Sequence, residues 1–264
     1  MTRQLVMAAA GPVKRFSAFF LLTIVLAAGW PAAGERQAAG DAPGTFSILG
    51  FDPATGEVGG AIESRSFSVG SRNIWAEADV GAVVTQAAVD VSYGPQALAL
   101  LRRGVSPDGI VKQLWESDRD PLPEKWSKHG RQFAVMNSKG EYAAFTGQKA
   151  TPWAGHRGGK FCTAQGNILV GEAVVSGMVE AFEKTTGHLS VRFLAALEAG
   201  QAAGGDKRGQ QSAAMFIVKK GAGAWLHNDT VLRLHVDDHS QPIQELRRLV
   251  ELWSATRART LLGR

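Results

Sequence analysis

Cysteine is almost absent. The 264 residues hold one, Cys162, so no intramolecular disulfide can form, whatever the redox state of the compartment. Stability must come from a packed core, and the lone thiol reads as a small buried hydrophobe with no activating base placed beside it. Long apolar runs are missing too. The stretch Phe16 to Trp30 covers 15 residues, short of the ~20 that a membrane-spanning helix needs. No arginine-rich run accompanies the net charge of +5, which argues against nucleic acid as a partner. There is no Walker-type phosphate loop, no nucleophile-elbow pattern, no internal repeat and no motif that implies a cofactor.

What the N-terminal part contains is a leader. Arg3, Lys14 and Arg15 precede the apolar run, and small-residue sites follow at Ala32-Ala33-Gly34, Ala38-Ala39-Gly40 and Ala42-Pro43-Gly44. This pattern reads as a secretory signal peptide over residues 1–34. Residues 35–44, rich in Ala, Gly and Pro, read as a flexible linker or pro-segment. Residues 45–264 are then one domain, carrying +3 after four basic and two acidic residues are removed. Export to the periplasm or beyond is expected, with no stable membrane insertion once the signal is cleaved.

The domain begins on a strand, Thr45 to Phe51, joined to a second at about 57–64 through Asp52-Pro53-Ala54-Thr55-Gly56, which has turn residues. Residues 82–87 read as a further strand. Helices follow from Pro95 to a stop at Gly104, and from Ser106-Pro107-Asp108 through Trp115. A hairpin turns at Asn137-Ser138-Lys139-Gly140. After a strand or strand–loop at 162–170 come two helices, carrying Val174 to Phe182 and Phe193 to Leu197. Strands at 212–219 and 231–237 precede a terminal helix carrying Ile243, Leu246, Val250 and Trp253. Strands and helices thus come in segregated runs. That order predicts an α+β fold with stacked sheets between helical layers, not a Rossmann alternation.

Thr45 is the first candidate for chemistry. A threonine freed at a mature N-terminus carries a hydroxyl and an amine together, and the amine, with a pKa of about 8, can serve as the hydroxyl's base. It is expected at the mouth of a cleft between the sheets, facing solvent. Asn167, in Gln165-Gly166-Asn167, is a candidate oxyanion donor, or else a strand-end residue satisfying loop backbone. Gln86 could add a second donor or read a substrate amide. On the loop Gly205-Asp206-Lys207-Arg208-Gly209, Arg208 could clamp a substrate carboxylate and Asp206 a substrate amine. The alternative is a loop simply held by an Asp206–Arg208 pair. The run His235-Val236-Asp237-Asp238-His239 would put three ligand types on one strand face, but a strand end is the better reading, and no metal site is assigned.

Two resemblances bear on these residues. Gly59-Gly60-Ala61-Ile62-Glu63-Ser64-Arg65 resembles the second strand of proteasome β-subunits, where an N-terminal threonine strand precedes a strand ending Asp-Ser-Arg. The resemblance implies that Glu63 takes the acidic position and holds the threonine environment by hydrogen bonding. Otherwise Glu63-Ser64-Arg65 is a polar strand end with a surface charge pair. More widely, Thr45-Phe46-Ser47-Ile48, Phe67-Ser68-Val69-Gly70, Gly81-Ala82-Val83-Val84-Thr85-Gln86-Ala87, Tyr93-Gly94-Pro95, Trp153-Ala154-Gly155-His156, Gly204-Gly205-Asp206-Lys207-Arg208-Gly209 and Val236-Asp237-Asp238-His239 resemble a bacterial and archaeal family. It is known as domain of unknown function 1028, regarded as related to N-terminal nucleophile hydrolases. That kinship implies a four-layer αββα sandwich and hydrolysis of a C–N amide bond in a small amide or peptide-like substrate. In members without a leader the threonine follows the initiator methionine; here it follows Gly44, so exposure needs another cleavage. The rival class is a non-catalytic cell-envelope ligand-binding module on the same scaffold. Association into a homo-oligomer is compatible with either.

Overall fold

The computed structural model describes residues 44–223 and 228–261; the expected signal peptide and residues 35–43 lie outside them, as does His227. Ten strands and six α-helices are seen among the described residues. Strands β1 (Thr45–Asp52), β2 (Glu57–Ser64), β8 (Cys162–Asn167), β9 (Ser212–Val218), β10 (Thr230–Val236) and β7 (Gly155–Gly159) form one sheet, in the order β10-β9-β2-β1-β8-β7. Strands β3 (Ile74–Glu77), β4 (Gly81–Ala87), β5 (Arg131–Asn137) and β6 (Tyr142–Thr146) form a second, in that order. All pairings are antiparallel. Helices α1 (Tyr93–Arg102) and α2 (Pro107–Ser117) cover the outer face of the smaller sheet. Helices α4 (Ala173–Lys184), α5 (Leu189–Ala202) and α6 (Pro242–Leu261) cover the outer face of the larger. The layers therefore run helices, sheet, sheet, helices, an α+β arrangement. No helix among the described residues is long and apolar enough to cross a membrane.

Local chemistry sets the boundaries. In the β1–β2 turn the Asp52 carboxylate accepts the Ala54 N–H at 3.0 Å, and Gly56 supplies the left-handed residue with φ of 77°. Helix α2 begins with Pro107 in its first turn, and the Ser106 hydroxyl accepts from the Gly109 N–H at 3.3 Å. In the β5–β6 hairpin the Asn137 side chain accepts from the N–H groups of Lys139 and Glu141, both at 3.0 Å.

Three elements have weak sequence signals and were not expected: β3, β7 and the four-residue helix α3 (Pro123–Trp126). Strand β7 reads Gly155-His156-Arg157-Gly158-Gly159, a poor strand former by propensity. It exists because the open edge of β8 offers it a ladder.

Period-two alternation on the strands divides the interior. On β1, Phe46 and Ile48 face helices α4 and α5 with Met178, Phe182 and Phe193. Leu49 and Phe51 face the other sheet and meet Val58, Ile74, Val84, Ala134 and Met136. Val83, Phe133 and Val135 face α1 and α2. Strands β4 and β9 are buried along their whole length, with β4 inside its sheet and β9 one strand in from an edge.

The glycines at the β2–β9 contact permit the close ladder. A Cβ built on Gly59 would stand 2.1 Å from the carbonyl oxygen of Phe216, a backbone atom that cannot swing aside. Gly59→Ala is therefore expected to cost about 1–3 kcal/mol through forced strand displacement, read as a lower urea midpoint. A midpoint unchanged from wild type would show that β2 and β9 have slack at this point.

Candidate functional site

The space between the two sheets is apolar at one end and polar at the other. Thr45, Ser47 and Ser64 on the β1–β2 ladder point into the polar end. Gln165 and Asn167 reach it from β8, where Thr45 stands opposite Asn167 and Ser47 opposite Gln165. Gln86 and Gln132, paired in β4 and β5, reach it from the other sheet. All seven are no more than 2 % exposed. Buried amides and hydroxyls must bond to one another or forfeit the hydrogen bonds they had in water.

They do so as a network, in which Gln165 Oε1 is the buried atom left without a partner. The Ser47 hydroxyl donates to Gln86 Oε1 at 2.6 Å and accepts from Gln165 Nε2 at 2.7 Å. Gln132 Oε1 accepts from Gln86 Nε2 at 2.8 Å and from Asn167 Nδ2 at 3.0 Å. Gln132 Nε2 in turn reaches the Gly166 carbonyl at 2.8 Å and the Thr146 hydroxyl at 2.9 Å. Gln86 and Asn167 also donate to the backbone carbonyl of Thr45, at 3.3 and 3.5 Å. Gln86 and Gln132 thus both tie the sheets together here, Gln86 to β1 and Gln132 to β8. Sequence reasoning passed over Gln132, although the polar residues Gln86, Gln132, Gln165 and Asn167 all lie at the same ends of strands whose other inward positions are largely apolar.

With Gly44 attached, Thr45 is 2 % exposed and the side chains of Asp206 and Arg208 pack against Gly44; the solvent-facing position is expected of the cut chain. The Ser64 hydroxyl donates to the Gly44 carbonyl at 2.6 Å, which leaves its oxygen to accept the Thr45 hydroxyl across 3.0 Å. Arg208 Nη2 donates to the same Gly44 carbonyl at 3.0 Å. Its guanidinium is held in a fork by the Asp206 carboxylate, at 3.0 Å to Oδ1 and 2.6 Å to Oδ2. The loop is therefore held by the Asp206–Arg208 pair, and the Arg208 guanidinium that Asp206 fixes also grips the carbonyl next to Thr45.

Glu63 follows a different path. Opposite Phe46 in the register, its side chain points to the helix side of the sheet, away from the Thr45 hydroxyl. It is fully buried, both oxygens lack a hydrogen-bond partner, and it forms no surface charge pair. Burial pushes its carboxyl well above the ordinary value, the neighbouring Asp206 charge adds to this, and Arg208 opposes it.

The backbone is strained on both sides of the site. Ala87, directly after Gln86, has φ of 61°, and Ile168, directly after Asn167, has φ of 56°. A β-branched residue there is a clear outlier, the kind of cost tolerated where geometry is over-determined.

The remaining candidates are not drawn in. Cys162 is fully buried, and burial pushes its thiol up to about 12. Asp237 accepts the Ser68 hydroxyl at 2.7 Å and His239 Nδ1 accepts the Gln241 N–H at 3.0 Å. Among the described residues no three His, Cys, Asp or Glu side chains come together as a metal site.

A family model for a family of unknown function, DUF1028, matches residues 45–246, beginning at Thr45 itself. The crystal structure of protein SPO2555 from Silicibacter pomeroyi, described under the same family model, is similar to this chain with a TM-score of 0.70. The two are 31% identical over 79% of this chain and 88% of that one. No curated protein matches.

Two outcomes test the site as built. Gln132→Leu keeps the bulk but strands the Gln86 and Asn167 donors, so a loss of about 2–6 kcal/mol is expected by chemical unfolding. A loss below about 1 kcal/mol would show that the amide network is not structural. For Glu63 the raised folded pKa means that its proton stabilises the fold fully below the unfolded value, about 4.3. That contribution is lost as pH rises through the folded value. With Gly44 attached, Glu63→Gln should remove this decline and leave the variant more stable than wild type at pH 8. Greater wild-type stability at pH 8 would mean that Glu63 is charged and partnered.

Proposed function

This chain belongs to the DUF1028 family of unknown function, and we propose that it is an exported hydrolase that cleaves C–N amide bonds with the Thr45 hydroxyl. Its nucleophile is completed by cutting the Gly44–Thr45 bond. The observation that carries this reading is the pair of donors on the Gly44 carbonyl, Ser64 Oγ and Arg208 Nη2. They grip the one carbonyl that lies next to the Thr45 hydroxyl in the chain. Donors fixed on an oxygen that becomes negative stabilise a tetrahedral intermediate without reorganisation.

In maturation, Thr45 Oγ attacks the Gly44 carbonyl carbon, and the negative oxygen is held by Ser64 and Arg208. The proton lost from Oγ reaches the Thr45 nitrogen as the C–N bond breaks. The product is an ester of Gly44 on Thr45 Oγ, with a free α-amine. Water then attacks the ester, delivering its OH to the Gly44 carboxyl and its proton back to Oγ. Departure of Gly44 also uncovers Asp206, whose Oδ2 lies 2.5 Å from a Cβ placed on Gly44, so the new amine emerges beside a carboxylate. An incoming amide carbonyl then takes the place of Gly44. The amine receives the Oγ proton and passes it to the leaving nitrogen, and water releases the acyl group from the threonine. Asn167 and Gln86 fix the Thr45 carbonyl, and Asn167, its second N–H given to Gln132, acts by holding the threonine in place.

Protein recovered from its exporting host is expected to begin at Thr45 by N-terminal sequencing and intact mass. Thr45→Ala should leave that bond uncut and abolish turnover across an amide library, whereas Thr45→Ser should retain both activities. Ser64→Ala and Arg208→Met should slow the cut by about 100- to 1000-fold, the scale of losing an oxyanion donor. A stable wild-type chain beginning at residue 35 or 41 ends this reading. A chain that begins at Thr45, binds ligand and turns over no amide supports the binding module instead.

A further inference from the structure

A cavity of about 240 Å³ opens onto this end of the inter-sheet space, with Ala87 and Asn167 among the residues that line it. Both belong to the strand ends that flank Thr45, since Asn167 is opposite Thr45 in the ladder and Ala87 follows Gln86. The cavity touches the polar network and is open while Gly44 is still in place.

Its wall is built rather than incidental. Arg131 is 3 % exposed and pairs with Asp118 at 3.0 Å, which also accepts the Tyr93 hydroxyl at 2.7 Å. From that anchor its Nη1 donates to the Ala88 carbonyl at 2.7 Å and to the Trp126 carbonyl at 3.0 Å. The Trp126 indole N–H donates to Val89 at 2.8 Å. One buried guanidinium therefore clamps two chain segments, around Ala88 and Trp126, that both line the cavity.

The lining is electrostatically lopsided. Lys125 and Lys149 both stand on it, and neither makes a salt bridge among the described residues; Glu124 is the one acidic side chain on the wall. The Thr151 hydroxyl, a neutral donor, belongs to the same lining. Two lysines and a hydroxyl on one wall, against a single carboxylate, suit an anion. The volume falls below the roughly 300–1,000 Å³ usual for drug-sized ligands, which suits a fragment of amino-acid size.

We propose that this cavity binds a carboxylate, and that the substrates are small amides carrying a carboxylate within a few bonds of the scissile C–N bond, with Lys125 and Lys149 as the selecting residues. As a substrate pocket it rests on the assignment of Thr45 as nucleophile; as a carboxylate site it does not.

The test is calorimetric titration of the full chain with glutarate, N-acetyl-L-glutamate and hippurate, each beside its neutral amide. At least one carboxylate should bind tenfold or more tightly than its amide. The preference should collapse in Lys125→Met/Lys149→Met with an unchanged melting temperature, because both side chains are exposed. It should also weaken at 1 M salt, where charges are screened within about 3 Å. Absence of any carboxylate preference in wild type, or a preference that survives the double substitution, overturns the proposal. Turnover of the matching anilides separates the two readings. Lysine-dependent carboxylate binding without turnover keeps the pocket and removes the nucleophile. Equal hydrolysis of charged and neutral anilides keeps the nucleophile and removes the pocket.

Discussion

Everything at the candidate site follows from one constraint: a cluster of amides and hydroxyls is sealed between two sheets and has to satisfy itself there. An apolar inter-sheet layer needs only shape complementarity, which many side-chain combinations supply. A polar layer needs matched donors and acceptors at fixed distances, and a buried group left without one costs more than a made bond returns. Gln132 shows how tightly that fixes the geometry. Its carbonyl accepts from an amide on each sheet, and its NH2 reaches backbone and side chain beyond them. The relative height of β5 and β8 is thereby set by hydrogen-bond length, and Thr45, held through its own carbonyl by Gln86 and Asn167, inherits that position. The left-handed residues Ala87 and Ile168 are the local cost of turning the chain away directly beyond the network.

The strand period then sorts three consecutive residues into three roles. Ser64 points between the sheets and meets the Thr45 hydroxyl. Glu63, one residue earlier, points to the helix side, where nothing bonds its carboxyl. Arg65 leaves the strand and reaches Gln211 at 3.0 Å on the surface. A resemblance read as a tripeptide therefore divides across both faces of a sheet, and it is Ser64, not the acid, that touches the threonine. The alternation was available in the sequence all along, because Val58, Gly60 and Ile62 share a face with Ser64.

Much of the architecture was legible for similar reasons. The long periodic helices α4, α5 and α6, the β1–β2 turn and the β5–β6 hairpin carry local signals strong enough to stand without tertiary help. Strand β7 does not: its glycines are silent until β8 provides an edge. The site was partly legible. Thr45, Gln86, Asn167, Asp206 and Arg208 stood out as polar residues at strand ends and on a glycine-rich loop, and the structure gathers them within one region. Gln132 and Ser64 did not stand out, since what marks them is their partners. The lysines of the cavity wall had no signal, for Lys125 sits on a single helical turn whose placement depends on a buried arginine six residues later.

Gly44 shows where composition misleads. In sequence it closes a run of Ala, Gly and Pro that reads as flexible spacer, and a glycine there carries no evident constraint. In the structure it is buried, its carbonyl bears two donors, and a Cβ at its position would come within 2.5 Å of Asp206 and 2.9 Å of Arg208. Both atoms belong to an ion pair whose members are locked to each other, so neither can withdraw without breaking the fork that also holds Gly44. The residue before Thr45 is thus selected by packing against the same guanidinium that polarises its carbonyl. A spacer that only connected a leader to a domain would need no such fit. The steric requirement for glycine and the electrostatic grip on its carbonyl thus share one side chain, Arg208, with Asp206 adding to the first and Ser64 to the second.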